Sequence, residues 1–447
     1  MKVPVIAIIG RPNVGKSTFF NTIVEKNVSI TSDESGTTRD RIIERAEWAG
    51  RVFNIVDTGG LDFDDKNAFS AHIREQVDLA ISFADCIIFL VDGNEGIHPH
   101  DTEIANLLRR VKRPVVLAVN KLDNRERVNN VHDFYRLKIG QPHPLSCTQK
   151  TGIGDLLDAV FETLKTDKPN QNPEDDTNDT DQPLRIAIVG KPNAGKSSIV
   201  NRLLGEKRVM VSDIAGTTRD SIDTLFRYNN RDYIIVDTAG IRRKRSIQVA
   251  TVEHYSVLRA LAAIRSADVV VLVVDATLGL TEQDVRLAGY AHEEGKPSVI
   301  CINKWDLVEK DSYTILDFEK RLGMDLAFMS YFRSIYISAE TGQRVGEVMK
   351  MVEFVRARAE TRLTTGVLNN LITGFVATTP PPMNAGKRPK IFYSTQVGIN
   401  PPTFALFVSD REAIGTGYLR YLENCLRKSI DLSGTPVRFL LRNRSEK

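Results

Sequence analysis

Two stretches of the chain carry the same residue types for holding phosphate. Gly10-Arg11-Pro12-Asn13-Val14-Gly15-Lys16-Ser17 recurs as Gly190-Lys191-Pro192-Asn193-Ala194-Gly195-Lys196-Ser197, 180 residues later. Both read G-x-x-x-x-G-K-S. The glycines let the backbone curl until its N–H groups point inward at phosphate oxygens. The lysines Lys16 and Lys196 then reach the outer phosphates, and the hydroxyls of Ser17 and Ser197 take a place on Mg²⁺. Two copies in register point to two nucleoside triphosphate sites.

Two further motifs repeat. Asn120-Lys121-Leu122-Asp123 matches Asn303-Lys304-Trp305-Asp306. A carboxylate there accepts from N1–H and from the exocyclic amine of guanine. Adenine offers neither donor and would leave the buried charge unmatched, which is penalised heavily. Asp123 and Asp306 are therefore expected to select GTP over ATP. The stems of Lys121 and Lys304 can lie along the base. Backbone amides at Ser146-Cys147 and Ser338-Ala339 are expected around guanine O6. Asp57-Thr58-Gly59-Gly60 matches Asp237-Thr238-Ala239-Gly240. There Asp57 and Asp237 would hold Mg²⁺ through water, and Gly60 and Gly240 free an N–H for the γ-phosphate. Thr38 and Thr218, each in a Gly-Thr-Thr-Arg-Asp run, can add a hydroxyl to Mg²⁺. Loss of the γ-phosphate would release both loops.

These residues need elements to place them. Val3 to Ile9 and Leu184 to Val189 read as buried strands entering each loop, and Thr18 to Val24 and Ser198 to Leu204 as helices leaving it. Further apolar runs, Ile87 to Val91 and Val115 to Val119, alternate with helical stretches. Each copy thus reads as an α/β domain, a mostly parallel sheet with helices on both faces. Every motif follows a strand, so the ligand is expected at the carboxyl ends of the strands. The offset between copies stays at 180 through Asp57/Asp237 and reaches 183 at Asn120/Asn303, as a loop insertion in one of two duplicated domains would give.

Between the copies, residues 166–183 hold no aliphatic or aromatic side chain, and six acids stand against one lysine. Such a segment buries no face and reads as a self-repelling linker, with ends roughly 23 Å apart as a random coil. From residue 359 the pattern changes to α-β-β-α-β: a helix over Ala357 to Gly374, strands over Lys390 to Val397 and Thr403 to Val408, a helix over Gly417 to Ser429, and a strand over Val437 to Leu441. Residues 359–447 carry 12 Lys/Arg against 6 Asp/Glu. The expected boundaries are 1–165, 166–183, 184–358 and 359–447. The formal net charge of +3 over 447 residues names no partner class. A signal peptide is not expected before the first strand, and no apolar run approaches the roughly 20 residues of a membrane span. Cys86, Cys147, Cys301 and Cys425 form no C-x-x-C pair and read as small core residues in a reducing cytoplasm.

The order of motifs resembles that of the translation-factor-related GTPases. Two such domains in tandem, an acidic linker and a small basic C-terminal domain resemble the EngA family of double-GTPase ribosome-assembly factors over the whole chain. The duplicated Gly-x-Pro-Asn-x-Gly-Lys-Ser and Thr-Thr-Arg-Asp runs carry that resemblance. It implies a bacterial cytoplasmic GTPase acting in maturation of the large (50S) subunit; GTP and GDP, Mg²⁺, the 50S subunit and rRNA are the expected ligands and partners, and a monomer is the expected state. It also implies that the C-terminal α+β domain is KH-like, yet that domain lacks the Gly-x-x-Gly loop with which KH domains clamp nucleic-acid backbone. The rival reading is a GTPase regulating another RNA-linked process, such as tRNA modification.

Better-known GTPases place a water-orienting glutamine after Asp-x-x-Gly. Here Leu61 and Ile241 stand there, so slow hydrolysis is expected. In related GTPases with Pro-Asn in the loop, the asparagine helps bind K⁺ beside the phosphates. Asn13 and Asn193 are candidates for that role, and K⁺ stimulation follows from it; the plainer alternative is that the amide braces the loop. After Gly60 the chain is acidic, whereas after Gly240 it reads Ile241-Arg242-Arg243-Lys244-Arg245. That basic run is either a solvated face or a contact with RNA or an acidic surface.

Overall fold

The computed structural model describes residues 3–27, 43–58, 69–123, 125–166, 182–205, 209–211, 223–236, 249–383 and 388–443. The chain divides into two compact units, one of residues 2–175 with 245–262 and one of 176–244 with 263–447.

In the first unit the elements run β1 (Val5–Ile9), α1 (Lys16–Asn27), β2 (Ile43–Trp48), β3 (Arg51–Asp57), α2 (Phe69–Phe83), β4 (Cys86–Asp92), α3 (Pro99–Leu108), β5 (Val115–Asn120), β6 (Pro142–Pro144) and α4 (Ile153–Thr166). The sheet order is β2-β3-β1-β4-β5-β6. All neighbours are parallel except β2 with β3. Every residue of β1 and β4 is buried, as expected for parallel strands covered on both faces. The β2–β3 hairpin turns through Ala49 and Gly50, whose φ values of 49° and 75° suit a type I′ turn. Phe53 packs edge-on against Phe161 of α4, ring centroids 5.5 Å apart, inside the core.

From Leu184 the chain repeats the plan. The elements are β7 (Leu184–Val189), α5 (Lys196–Leu204), β8 (Val209–Val211), β9 (Thr224–Tyr228), β10 (Arg231–Val236), α6 (Val249–Ser266), β11 (Val269–Asp275), α7 (Glu282–Glu294), β12 (Ser298–Asn303), α8 (Thr314–Asp325), β13 (Arg333–Tyr336) and α9 (Glu347–Ala359). The sheet order is β13-β12-β11-β7-β10-β9-β8. The β9–β10 hairpin turns through Asn229 and Asn230, φ 49° and 63°, so the same turn type serves both copies. Helix α7 opens on a capping box in which Thr281 and Asp284 satisfy each other's backbone N–H, and closes at Gly295 with φ 76°.

The last domain is α10 (Thr365–Thr378), β14 (Ile391–Gly398), β15 (Thr403–Val408), α11 (Thr416–Ser429) and β16 (Arg438–Asn443), in the order the sequence predicts. Strand β15 is central, antiparallel to β14 and parallel to β16. Phe404, Leu406 and Val408 meet Leu368 and Ile372 of α10 and Leu422 and Leu426 of α11 in one core. One expectation fails: the helix read over Ala357 to Gly374 is two helices, α9 and α10. The side chain of Gln396 fills the break, donating to Thr361 O at 2.9 Å and accepting from Leu363 N at 2.7 Å. Thr364 then caps α10.

This domain docks on the second nucleotide-binding fold within the same unit. Gly434 accepts from Ser298 N at 2.8 Å and donates to Tyr331 O at 2.7 Å. Its φ of 73° and the closeness of Val355 leave no room for a Cβ. Arg438 donates to Glu293 O at 2.8 Å, and Arg358 pairs with Asp431 at 2.7 Å. Among the described residues, Cys86, Cys147 and Cys301 are buried free thiols and Cys425 is half-buried. No helix among them is long and apolar enough to cross a membrane. The acidic segment lies, but for its ends, outside the described residues.

Candidate nucleotide sites

Each phosphate loop leaves its strand at a glycine pressed against a neighbouring strand. A Cβ at Gly10 would strike Leu90 O, and one at Gly190 would strike Val273 O. Asn13 and Asn193 take left-handed φ values of 66° and 65°, and Gly15 and Gly195 take 98° and 97°. Asparagine and glycine tolerate that region best. The side chains of both asparagines are exposed. Pro12 and Pro192 sit half-buried at the loop tips, and Val14 and Ala194 are buried beneath them.

The lysine ammoniums are held in the loop's mouth. Lys16 Nζ donates to Gly10 O and Arg11 O, both at 2.8 Å, and Lys196 Nζ to Gly190 O and Lys191 O, both at 2.7 Å. A charge held by neutral carbonyls at the start of a helix is placed for an anion. Ser17 Oγ lies 2.8 Å from Asp57 Oδ2, so the serine and carboxylate expected to serve Mg²⁺ do converge. They fit a hard cation that takes few protein oxygens and keeps water and phosphate as its other ligands. Thr38, Gly60, Leu61, Thr218, Asp237, Gly240, Ile241 and the Arg242–Arg245 run lie outside the described residues.

The asparagines of the motif expected to read the base do more than the motif suggests. Asn120 Nδ2 donates to Val14 O at 2.8 Å while its Oδ1 accepts from Cys147 N at 3.1 Å. In the second copy Asn303 bonds Ala194 O at 2.8 Å and Ala339 N at 2.9 Å. One buried amide thus ties the phosphate loop to the loop after β6 or β13. A Cβ on Gly15 or Gly195 would strike that amide nitrogen. The backbone amides at Ser146-Cys147 and Ser338-Ala339, expected around guanine O6, already have partners within the fold. Ser146 N bonds Thr151 O and Ser338 N bonds Gln343 O, each at 3.1 Å. A contact to O6 has to be shared with these bonds. Burial pushes the Cys147 thiol up to about 12, so it stays protonated.

The two aspartates differ. Asp123 Oδ1 accepts from Ser146 Oγ at 2.5 Å. Asp306 Oδ1 is buried and has no hydrogen-bond partner among the described residues. An orphaned buried carboxylate oxygen is costly unless a ligand donor meets it, and the guanine edge supplies such donors.

Sequence reasoning missed Asp92 and Asp275. Lys121 Nζ sits 2.7 Å from Asp92 Oδ2, and Lys304 Nζ 2.5 Å from Asp275 Oδ2. Burial alone would raise both carboxyls, but the lysine, together with local N–H donors and the Thr277 hydroxyl at Asp275, outweighs it and holds both below the ordinary range. Lys121 and Lys304 take left-handed φ values of 66° and 62°. The signal was available: Val-Asp closes β4 and β11 alike, one more identity between the copies.

The copies diverge at one loop position. Arg11 pairs with Glu95 at 2.7 Å and approaches the fully buried Asp101 at 3.4 Å. Burial raises the Asp101 carboxyl. At the equivalent place Asp284 accepts from the backbone N of Lys191 at 3.3 Å. The first loop is braced by a side chain and the second by its own backbone.

Two mostly parallel sheets, each closing on a glycine-rich phosphate loop locked to the motif expected to read guanine, define a chain with two P-loop GTPase folds and a small α+β domain. A family model described as 50S ribosome-binding GTPase matches residues 5–121 and again 185–304. A model of the KH-domain-like C-terminal region of EngA bacterial GTPases matches 362–442. Proteins named GTPase Der are similar over their full length. Those of Pelotomaculum thermopropionicum and Caldanaerobacter subterraneus subsp. tengcongensis are each 48% identical, over 446 and 447 residues, with 100% of both chains covered. That of Desulforamulus reducens is 48% identical over 447 residues with the same coverage. The chain belongs to the EngA (Der) family of bacterial GTPases. A solved structure of Era with MgGDPNP and 16S ribosomal RNA matches at 23% identity over 58% of this chain and 92% of that one, with a TM-score of 0.30, too low to carry an argument.

Proposed function

We propose that this GTPase is a nucleotide-driven switch in maturation of the large (50S) ribosomal subunit, a cytoplasmic monomer that reads rRNA. The observation that carries the guanine reading is the buried Oδ1 of Asp306, without a partner among the described residues, beside the Asn303 amide that locks base loop to phosphate loop. The ribosomal step rests on the family model's description and on the basic surplus of the C-terminal domain. In each site the loop amides and lysine would hold the phosphates, and the aspartate the base. Mg²⁺ on Ser17 and Asp57 would neutralise phosphate charge. Domain boundaries at 165/166, 183/184 and 358/359 are part of the same reading. So are Thr38, Thr218 and Asp237 on Mg²⁺, and Gly60 and Gly240 as γ-phosphate sensors. With Leu61 and Ile241 unable to orient water, hydrolysis is slow, and K⁺ held through Asn13 and Asn193 supplies charge that an arginine finger would otherwise bring. Nothing in the comparisons favours a role in tRNA modification. Co-sedimentation with 50S subunits in GDP, GTP and a non-hydrolysable GTP analogue is the test. Nucleotide-dependent pelleting is expected; no pelleting in any state overturns the ribosomal reading.

A further inference from the structure

The C-terminal sheet has a second face. Side chains alternate along a strand, so with Phe404, Leu406 and Val408 in the core, Phe407 points the other way. Direct pairing sets Tyr393 of β14 on one side of Phe407 and Arg442 of β16 on the other. The Tyr393 and Phe407 rings lie 5.6 Å apart, inclined at 53°. Tyr393 is 44% exposed, Arg442 is exposed and Phe407 half-buried. Four residues before Arg442 on the same face, Arg438 is held at the GTPase fold through Glu293 O. One end of this face is therefore docked, and the row Tyr393, Phe407, Arg442 is at the other end.

The surroundings are basic. Arg388 and Lys390 lead into β14, and Arg411 follows β15, its backbone N bonded to Asn443 Oδ1 at 3.1 Å. Asp410 and Glu412 flank Arg411 as the opposing charges. Two aromatic rings and a guanidinium in one row, with cations around them, match the requirements of unpaired nucleotides. Bases stack on rings and on guanidinium planes whatever their sequence, and cations take the backbone. An acidic peptide would use the cations but leave the two rings idle, whereas unpaired bases use both.

We propose that Tyr393, Phe407 and Arg442 form a stacking platform for unpaired bases of a single-stranded RNA segment. The proposal deepens the ribosomal reading and rests on it only for which RNA is bound in the cell.

The test uses the full chain and a fluorescein-labelled 12-nucleotide RNA of mixed sequence, single-stranded or annealed to its complement, read by anisotropy over a salt series. Tyr393→Ala is expected to lower single-strand affinity about tenfold or more, the effect of losing one stacked base, with the salt slope unchanged. Tyr393→Phe should retain affinity, because the ring is kept. Arg442→Gln should weaken binding and flatten the salt slope. Unchanged guanine-nucleotide binding and melting temperature show that the variants fold. If Tyr393→Ala binds the single strand as the parent does, or the parent does not bind it, the platform is wrong. Loss of 50S co-sedimentation in Tyr393→Ala with oligonucleotide affinity unchanged would assign the face to a protein and also overturn it. A parent that binds the single strand in a Tyr393-dependent way but never pellets with 50S would instead overturn the ribosomal reading and leave the platform standing.

Discussion

Asp306 shows what one side chain can decide. Its Oδ1 is buried without a partner among the described residues, and its neighbour Lys304 is spent on Asp275. Replacing one carboxylate oxygen by an amide NH₂ in Asp306→Asn turns an acceptor into a donor facing the guanine N1–H and N2 edge. GTP affinity at the second site should fall by roughly one to two orders of magnitude, while xanthine nucleotides, with a carbonyl at C2, should gain. Titration with fluorescent GTP and XTP analogues checks both directions, and an unchanged preference would disprove the pairing. At Asn193 the expectation is kinetic. Its left-handed φ and exposed side chain leave the amide open to a cation, so Asn193→Ala should remove the K⁺ stimulation of the second site. Equal hydrolysis rates of the parent protein in K⁺ and Na⁺ at one ionic strength would eliminate that mechanism.

At the scale of elements, the site is a set of loops tied together by two struts. Asn303 joins the phosphate loop after β7 to the loop after β13, and the Lys304–Asp275 pair joins the end of β12 to the end of β11. Anchoring its ammonium on Asp275 holds the Lys304 stem in one place. Asp275→Asn keeps the shape but loses the charge-assisted bond. GTP affinity at the second site should drop roughly tenfold, with GTP-over-ATP selectivity retained because Asp306 is untouched. Isothermal titration with both nucleotides separates these effects; a loss of selectivity would mean that Asp275 reads the base itself. The first copy braces its phosphate loop through a side chain, Arg11 with Glu95 and Asp101, and the second through its backbone, Lys191 N with Asp284.

At the scale of the whole molecule, the C-terminal domain and the second GTPase fold share a buried polar seam. His292 of α7 lies 2.8 Å from Tyr331 OH and stacks on its ring, and Arg427 of α11 covers the same ring at 4.6 Å. Burial lowers the His292 pKa from its ordinary 6.5; Glu423 opposes this, and Arg427 and Arg438 add to it. The folded protein thus prefers the neutral ring. Above about pH 6.5 neither state is protonated and the ring has no pH effect. As pH falls below that value the unfolded chain takes the proton first, so stability is lost towards the lower folded pKa. Thermal melting of the parent between pH 5 and 8 should show this acid-side loss, reduced in His292→Gln. Identical pH profiles would place the acid sensitivity elsewhere.

Residues 10–17 and 190–197 could be read as phosphate loops without coordinates, because everything they need is local. Glycine and asparagine permit the positive φ, a strand precedes, and a helix follows. The same holds for the α-β-β-α-β order at the C-terminus, which periodicity and turn residues encode within each segment. The helix break at 360–364 was not legible, since what fills it is Gln396, on a strand more than thirty residues away. Asn120 with Cys147, Lys121 with Asp92, and Gly434 with Ser298 and Tyr331 were hidden for the same reason. Each joins residues far apart in the chain, and a hydrogen bond depends on a distance that only the packed strands set. The amides expected around guanine O6 show the converse. Residue types told which groups could meet a base, but the tertiary structure decided that buried N–H groups are satisfied first by the acceptors the fold brings beside them.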